Sequence, residues 1–262
     1  MSGAGEDTLA QDPRGELPPV HPGEMAHLDD ATRRTLGTYW ARRARSEREV
    51  GVALAFLARE LHDAEPVVVE RLWRGAADEA RHAGLCELLA ARYRGDAVEV
   101  PPLRPLRLPD FAGAPRETVP GLQLIVLCAV GESIAVTWLQ ECFHLARTPL
   151  ARAANRLHLR EEVDHARVGW AHLSSRRLAP GTKQALGPLL PRLLQLCVEN
   201  WWAPESELPA DGFPDEGIPS LAGKREAVKV AVEEVILPGF AHAGVATEQG
   251  QRWWESFHEA HT

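Results

Sequence analysis

One motif occurs twice in this chain at a fixed spacing, and that repeat limits the folds open to it. Asp78-Glu79-Ala80-Arg81-His82 and Glu161-Glu162-Val163-Asp164-His165 each carry Glu-x-x-His inside a long helical pattern. Residues three apart share a helix face, so each motif aims a carboxylate and an imidazole the same way. Glu79 and Glu162 are 83 residues apart, and so are Glu49 and Glu132, each 30 residues before its motif glutamate. Pro66 and Pro149 keep the same offset, each 13 residues before the glutamate. Proline suits the first helical turn, so both motif helices are expected to start alike and carry their ligands ~20 Å along. Four carboxylates and two imidazoles used as a doubled unit suit two transition-metal ions inside a helical bundle.

Glu-x-x-His alone says little, and the chain contains five such pairs. Glu24/His27 lies in a polar N-terminal stretch, and Glu255/His258 lies near the C-terminus. Glu141 is nine residues past Glu132, on about the opposite helix face. These three read as solvated pairs. Only the other two share the register.

Composition sets the class. The 262 residues are 45% hydrophobic, rich in Ala and Leu, and carry eight Trp against two Tyr. An all-α fold is expected. A net charge of −8 argues against a nucleic-acid partner. Cys86, Cys128, Cys142 and Cys197 show no C-x-x-C spacing and fall in helical patterns, which reads as reduced thiols in a cytoplasmic protein. No signal-peptide pattern opens the sequence. The longest apolar stretch, Leu124 to Val130, is too short to span a bilayer, so no membrane partner is expected.

The chain divides into an expected disordered tail (1–26), a four-helix unit with one long crossover (27–180) and a C-terminal helical extension (181–262). Helix one runs from Leu28 to about His62, with Asp29 or Asp30 as N-cap. Its inner stripe reads Glu49, Val52, Ala53, Phe56 and Glu60; Glu47 is a rival lying two residues off that stripe. Helix two starts at Pro66 and ends near Arg94, with Gly95 as C-cap. Prolines at 101, 102, 105, 109 and 115 exclude helix from the connection that follows. Helix three runs from Pro120 to about Ala146, with Ile125, Cys128, Ala129, Glu132, Val136 and Leu139 inward. Thr148 caps helix four, which runs to about Arg177. There His158, Glu162, His165 and His172 share a stripe. His158 is open to three readings: an extra ligand or proton relay with a catalytic part, or a satisfied core histidine. A fifth helix containing Pro191, a Pro/Gly/acidic loop over 203–222, a sixth helix over 224–237 and a seventh around Trp253 follow. They read as packing on the bundle, or else as a cover over the site or an interface.

On these motifs, over about residues 38–178, the sequence resembles the ferritin-like di-metal carboxylate superfamily. That group includes bacterial ferritins, rubrerythrins, the soluble methane monooxygenase hydroxylase and the radical-generating subunit of ribonucleotide reductase. Asp78-Glu79-Ala80-Arg81-His82 matches the D-E-x-R-H form of the oxygen-activating members. Gly131-Glu132-Ser133 is similar to the helix-three motif of bacterial ferritin-like domain proteins. The resemblance implies that Glu79 and Glu162 bridge two metals, with Glu49 and His82 completing one shell and Glu132 and His165 the other. It also implies that Asp78 and Glu161 hold the histidine of the opposite helix. The second motif departs from the pattern at Glu161 (usually Asp) and Asp164 (usually Arg). No rubredoxin-type cysteine pairs are present, which disfavours a rubrerythrin-type peroxidase.

Mixed carboxylate and imidazole ligands suit iron, with manganese as the alternative. The leading expectation is a di-iron oxygenase or oxidase acting with O2, an external electron donor and a small organic substrate, in a chain compatible with a homodimer. The rivals are a ferroxidase or iron-storage protein, a dimanganese catalase and a metal-free helical interaction module. Gly75, Ala76, Ala129, Val136 and Gly169 are expected to leave volume for the substrate.

Overall fold

A computed structural model describes residues 15–19, 21, 23–104, 107–111, 113–178 and 180–261. The chain is all-α. Helix α1 spans Asp30–Glu60, and Asp29 caps it by accepting from Thr32 N at 2.7 Å. Helix α2 spans Pro66–Arg94, with Pro66 at its start and Gly95 (φ 79°) as a left-handed C-cap. Helix α3 is one continuous run in three parts: α-helical Val119–Leu124, π-helical Ile125–Glu132 and α-helical Ser133–Leu145. Helix α4 spans Pro149–Leu173, capped by Thr148. Helix α5 spans Pro180–Trp202. Helix α6 joins Leu221–Val230, π-helical Ala231–Ile236 and Leu237–His242. Helix α7 spans Glu248–His261. Among the described residues the only extended pairing is an isolated Phe213–Ile218 bridge.

Short connections join α1 to α2 and α3 to α4, so each pair runs antiparallel. Helix α2 also packs on α4. Between the pairs runs the proline-rich crossover; its Pro105 lies outside the described residues. The crossover is tied down where Arg104 N donates to a Glu49 oxygen at 2.6 Å and Gln123 Nε2 donates to Pro109 O at 2.7 Å.

Three sequence expectations need correction. The inward face of α1 is not the 49/52/56/60 stripe: Val52 is 60% exposed and Phe56 46% exposed. The buried face carries Ala44, Glu47, Gly51, Leu54 and Ala58. Small residues there let α2 approach closely, so the true contact face looks weakly apolar in sequence. Second, α3 is not a plain α-helix. It is packed on both sides, by α4 and by the C-terminal helices, which hides any one-sided stripe, and Val136 lies only half-buried. Third, part of the expected N-terminal tail is packed. Leu17 and Met25 are buried against α1 and α2, and Arg92 Nη1 donates to Pro18 O at 2.8 Å. Residues 1–14, 20 and 22 of that tail lie outside the described residues.

The C-terminal helices build a core of their own against α3. Leu186, Leu190, Leu194, Val232, Ile236 and Phe240 pack with Val126, Val130 and Ile134. The run Arg116–Leu145 is long and apolar enough to cross a membrane, yet 67% of its apolar window is buried inside the fold. The apolar surface is used as a core helix uses it. The loop before α6 is anchored by buried Glu216, which accepts from Tyr93 Oη at 2.6 Å and Thr148 Oγ1 at 3.0 Å and pairs with His27 Nε2 at 2.7 Å.

Candidate metal centre

The two Glu-x-x-His motifs meet in the middle of the fold, and the helical spacing accounts for how. Each motif points its glutamate and histidine to one face of its helix, and α2 and α4 bring those faces together. His165 Nδ1 lies 3.1 Å from Glu79 and 2.9 Å from Glu162. His82 Nδ1 lies 3.4 Å from each of the same two carboxylates. Glu79 and Glu162 therefore stand between both imidazoles, and all four side chains are buried.

The outward ring nitrogens are held by acids. His165 Nε2 lies 3.4 Å from Asp78 Oδ2, and His82 Nε2 lies 3.2 Å from Glu161 Oε2. Carboxylates at Nε2 keep that nitrogen protonated, so it is the inward-facing Nδ1 that would give up its proton to a metal. Arg81 clamps both acids, bonding Asp78 and, at 3.0 Å, Glu161. Asp164, three residues after Glu161, instead pairs with exposed Arg167. One guanidinium thus serves both acids.

On α1 it is Glu47 that faces the cluster. Its carboxylate can offer an oxygen within 4.8 Å of ligand atoms of Glu79, His82 and Glu162. Glu49 faces the crossover, bonded to Arg104 N and 3.5 Å from Arg45 Nε. The cause is loop length. The linker 61–65 between α1 and α2 has five residues, and the linker 146–148 between α3 and α4 has three. Counting along the chain therefore misplaces α1 by two positions. Counted from the helix ends, Glu47 precedes Glu60 by 13 residues and Glu132 precedes Leu145 by 13.

Glu132 is buried at the end of the π-helical segment and lines a cavity together with Glu47, Glu79 and Glu162. That cavity has a volume of about 410 Å³ and a half-open mouth. Its far walls come from Ala135 and Trp138 of α3 and from Asn200, Trp201, Glu205 and Lys224 of the C-terminal region. The expected space beside Gly169 and Ala129 is absent. A Cβ on Gly169 would stand 2.3 Å from Ala129 N, so the pair lets α3 and α4 touch. A Cβ on Gly75 would stand 3.2 Å from Leu54 Cδ1 of α1 and in ordinary contact, at 3.5 Å, with the His165 ring.

Electrostatics indicate that the cluster is built for cations. Burial opposes a charge on His82, yet bonds to Glu161, Glu162 and Glu79 outweigh it and push its pKa up to about 12. His165 is raised in the same way by Asp78, Glu162 and Glu79. Burial pushes Glu47 up to about 7, with Glu79 and Glu162 adding to the rise, although Arg43 Nη2 bonds it at 2.8 Å. Glu132 is raised well above the carboxylate range by burial and the same neighbours. Glu161 falls to about 2 because His82 bonds it. Buried Glu79 Oε2 and His82 Nδ1 stand 3.4 Å apart without forming a hydrogen bond. Poorly satisfied buried polar atoms of this kind are costly, and a metal ion between them would satisfy both. The residues present fit a metal: carboxylate and imidazole ligand atoms converge in one buried place, and the protons they carry can be exchanged for a cation.

His158 is fully buried, and burial holds its pKa well below the usual value, so it is neutral. Its Nε2 lies 3.6 Å from Cys86 Sγ, and its ring lies 4.7 Å from that of His82. It does not line the cavity, so it has no direct path to a substrate there. His172, two turns beyond His165, packs against Gly121 at the start of α3. The four cysteines are free.

A prediction follows from the protonation state. Metal-free His82 and His165 are cations at neutral pH, whereas a metal needs neutral imidazoles. Binding therefore expels at least two protons per chain, and affinity rises with pH. Calorimetry in buffers of different protonation enthalpy measures this. A heat independent of the buffer would contradict the assigned charges. In the metal-free chain the sign for stability is opposite. The raised histidine values contribute stability present in full below the ordinary value near 6.5 and lost as pH climbs through about 12 for His82.

Compared with family models, curated proteins and solved structures, the chain matches none. The site therefore rests on its own geometry. The sequence reading missed Arg43, Arg81 and the C-terminal wall. Arg81 was visible only as part of the first motif, and nothing in the α1 pattern marked Arg43. Trp201 and Lys224 sit far along the chain, with no motif around them.

Proposed function

We propose that this chain is a ferritin-like di-metal carboxylate protein that uses two iron ions and O2 to oxidise a small organic substrate. The observation that carries the reading is a cavity of about 410 Å³ opening directly on Glu47, Glu79, Glu132 and Glu162. Small-molecule sites fall in the range of roughly 300–1,000 Å³. In this reading Glu47, Glu79, His82, Glu132, Glu162 and His165 would hold the ions.

A bound iron pair supplies electrons to O2 and so provides the oxidising power, with an external donor restoring it. The chain's own residues do the rest. Four carboxylates offset the charge of two divalent cations, so the site carries no unpaired charge in an apolar interior. Asp78 and Glu161 fix the ring orientation of both histidines and raise their basicity. Arg43 holds one oxygen of Glu47 and leaves the other for a metal. Trp138, Trp201 and Ala135 exclude water from one side of the cavity, while Asn200 and Lys224 offer polar contacts at its wall. The C-terminal region thereby shapes the substrate space and covers the site.

Iron storage is the main rival, since it needs the same ligands but a cage and repeated iron entry. Excess Fe(II) in air separates the two. The oxidase reading expects about two irons retained per chain and a small oligomer. A hollow multimer holding many irons per chain would favour storage.

A further inference from the structure

One turn from the carboxylate pair lies a second group of ligand atoms from three helices. Cys86 follows His82 by four residues on α2, and His158 precedes Glu162 by four on α4. Glu47 faces both groups: one of its oxygens, Cys86 Sγ and a His158 nitrogen lie within 4.8 Å of one another. All three side chains are buried. Trp40 of α1 closes the group from outside, stacked on His158 with rings 6.3 Å apart and 12° from parallel.

We propose that Glu47, Cys86 and His158 form a separate seat for one soft cation of the Zn(II) class. Thiolate and imidazole are the ligands such ions prefer. The spacing suits them: with metal–sulfur and metal–nitrogen bonds of about 2.3 and 2.0–2.1 Å, a tetrahedral angle separates the two donors by about 3.5–3.6 Å. The observed Cys86 Sγ–His158 Nε2 distance is 3.6 Å. Binding exchanges the thiol proton, released to solvent, for a metal–sulfur bond. Thiolate and carboxylate together then match the charge of a divalent ion. Arg43, which also faces the group, lines the cavity mouth. Arg43 Nη2 already bonds one oxygen of Glu47 at 2.8 Å, and Glu47 belongs to both seats. A cation in the thiolate seat thus draws a ligand away from the carboxylate pair, and a soft metal would antagonise a hard one.

The test is an anaerobic Co(II) titration of the full metal-free chain, read by the near-ultraviolet sulfur-to-cobalt charge-transfer band. The carboxylate pair contains no sulfur ligand, so this band reports the thiolate seat alone. We expect the band in the wild type, in Glu79→Gln and in Cys128→Ala. It should vanish in Cys86→Ala, and its midpoint should rise at least tenfold in His158→Gln. Circular dichroism shows whether each variant folds; if Cys86→Ala does not, Cys86→Ser is read instead. No band in the wild type, or a band that persists without Cys86, overturns the proposal. Persistence in Glu79→Gln separates this seat from the oxidase reading, which can fail independently.

Discussion

Replacing Glu79 and Glu162 together by glutamine is expected to leave an all-helical chain that no longer retains iron or manganese. Each carboxylate faces both Nδ1 atoms at 2.9–3.4 Å, so the double change removes the common element of both metal positions. Loss of a carboxylate that merely orients a ligand costs ~10–100-fold in affinity. Loss of both central ligands should exceed ~100-fold at each position. Metal also stabilises the folded state, by ~2.7 kcal/mol at a hundred times the dissociation constant. The wild-type chain should therefore melt higher when Fe(II) or Mn(II) is added anaerobically, and the double variant should not. An equal thermal shift in both would remove these two residues from the site.

The second large effect separates two neighbouring glutamates. Glu47→Gln should lower metal affinity strongly, because it takes one ligand oxygen from the cluster and frees Arg43 to repel a cation. Glu49→Gln should leave metal affinity unchanged. It weakens the bond to Arg104 N that holds the crossover and the i,i+4 pair with Arg45, a loss of about 1 kcal/mol. Dialysis against Mn(II) with both variants reads the difference. Equal losses, or a loss in Glu49→Gln alone, would restore the assignment drawn from chain spacing.

That contrast shows how much the sequence could tell. The Glu-x-x-His motifs are internal to single helices, where spacing translates directly into geometry. Glu79, His82, Glu162 and His165 were legible for that reason, whereas the acids beside them were expected only from the family resemblance. The partner on α1 depends on the loop joining α1 to α2, and the two loops differ by two residues. The 83-residue offset crosses that loop and so points to the wrong glutamate. Exposed Val52 and Phe56 strengthened the error, since an apolar residue is expected to face inward. Gly51 and Ala58, which do face inward, carry too little side chain to declare it. A cover by the C-terminal helices was one open reading, but its residues could not be named, because Trp201 and Lys224 reach the site only through tertiary packing. Three helix caps were legible: Asp29 (one of two candidates), Gly95 and Thr148 stand where their backbone chemistry requires.

The central claim is that two cations share Glu79 and Glu162. Mn(II) tests it most directly, because paired ions joined by carboxylates couple magnetically. Electron paramagnetic resonance of the chain loaded anaerobically with Mn(II) should show two bound ions per chain with the spectrum of a coupled pair. A simple six-line spectrum of isolated Mn(II), or no retained manganese, would contradict the account.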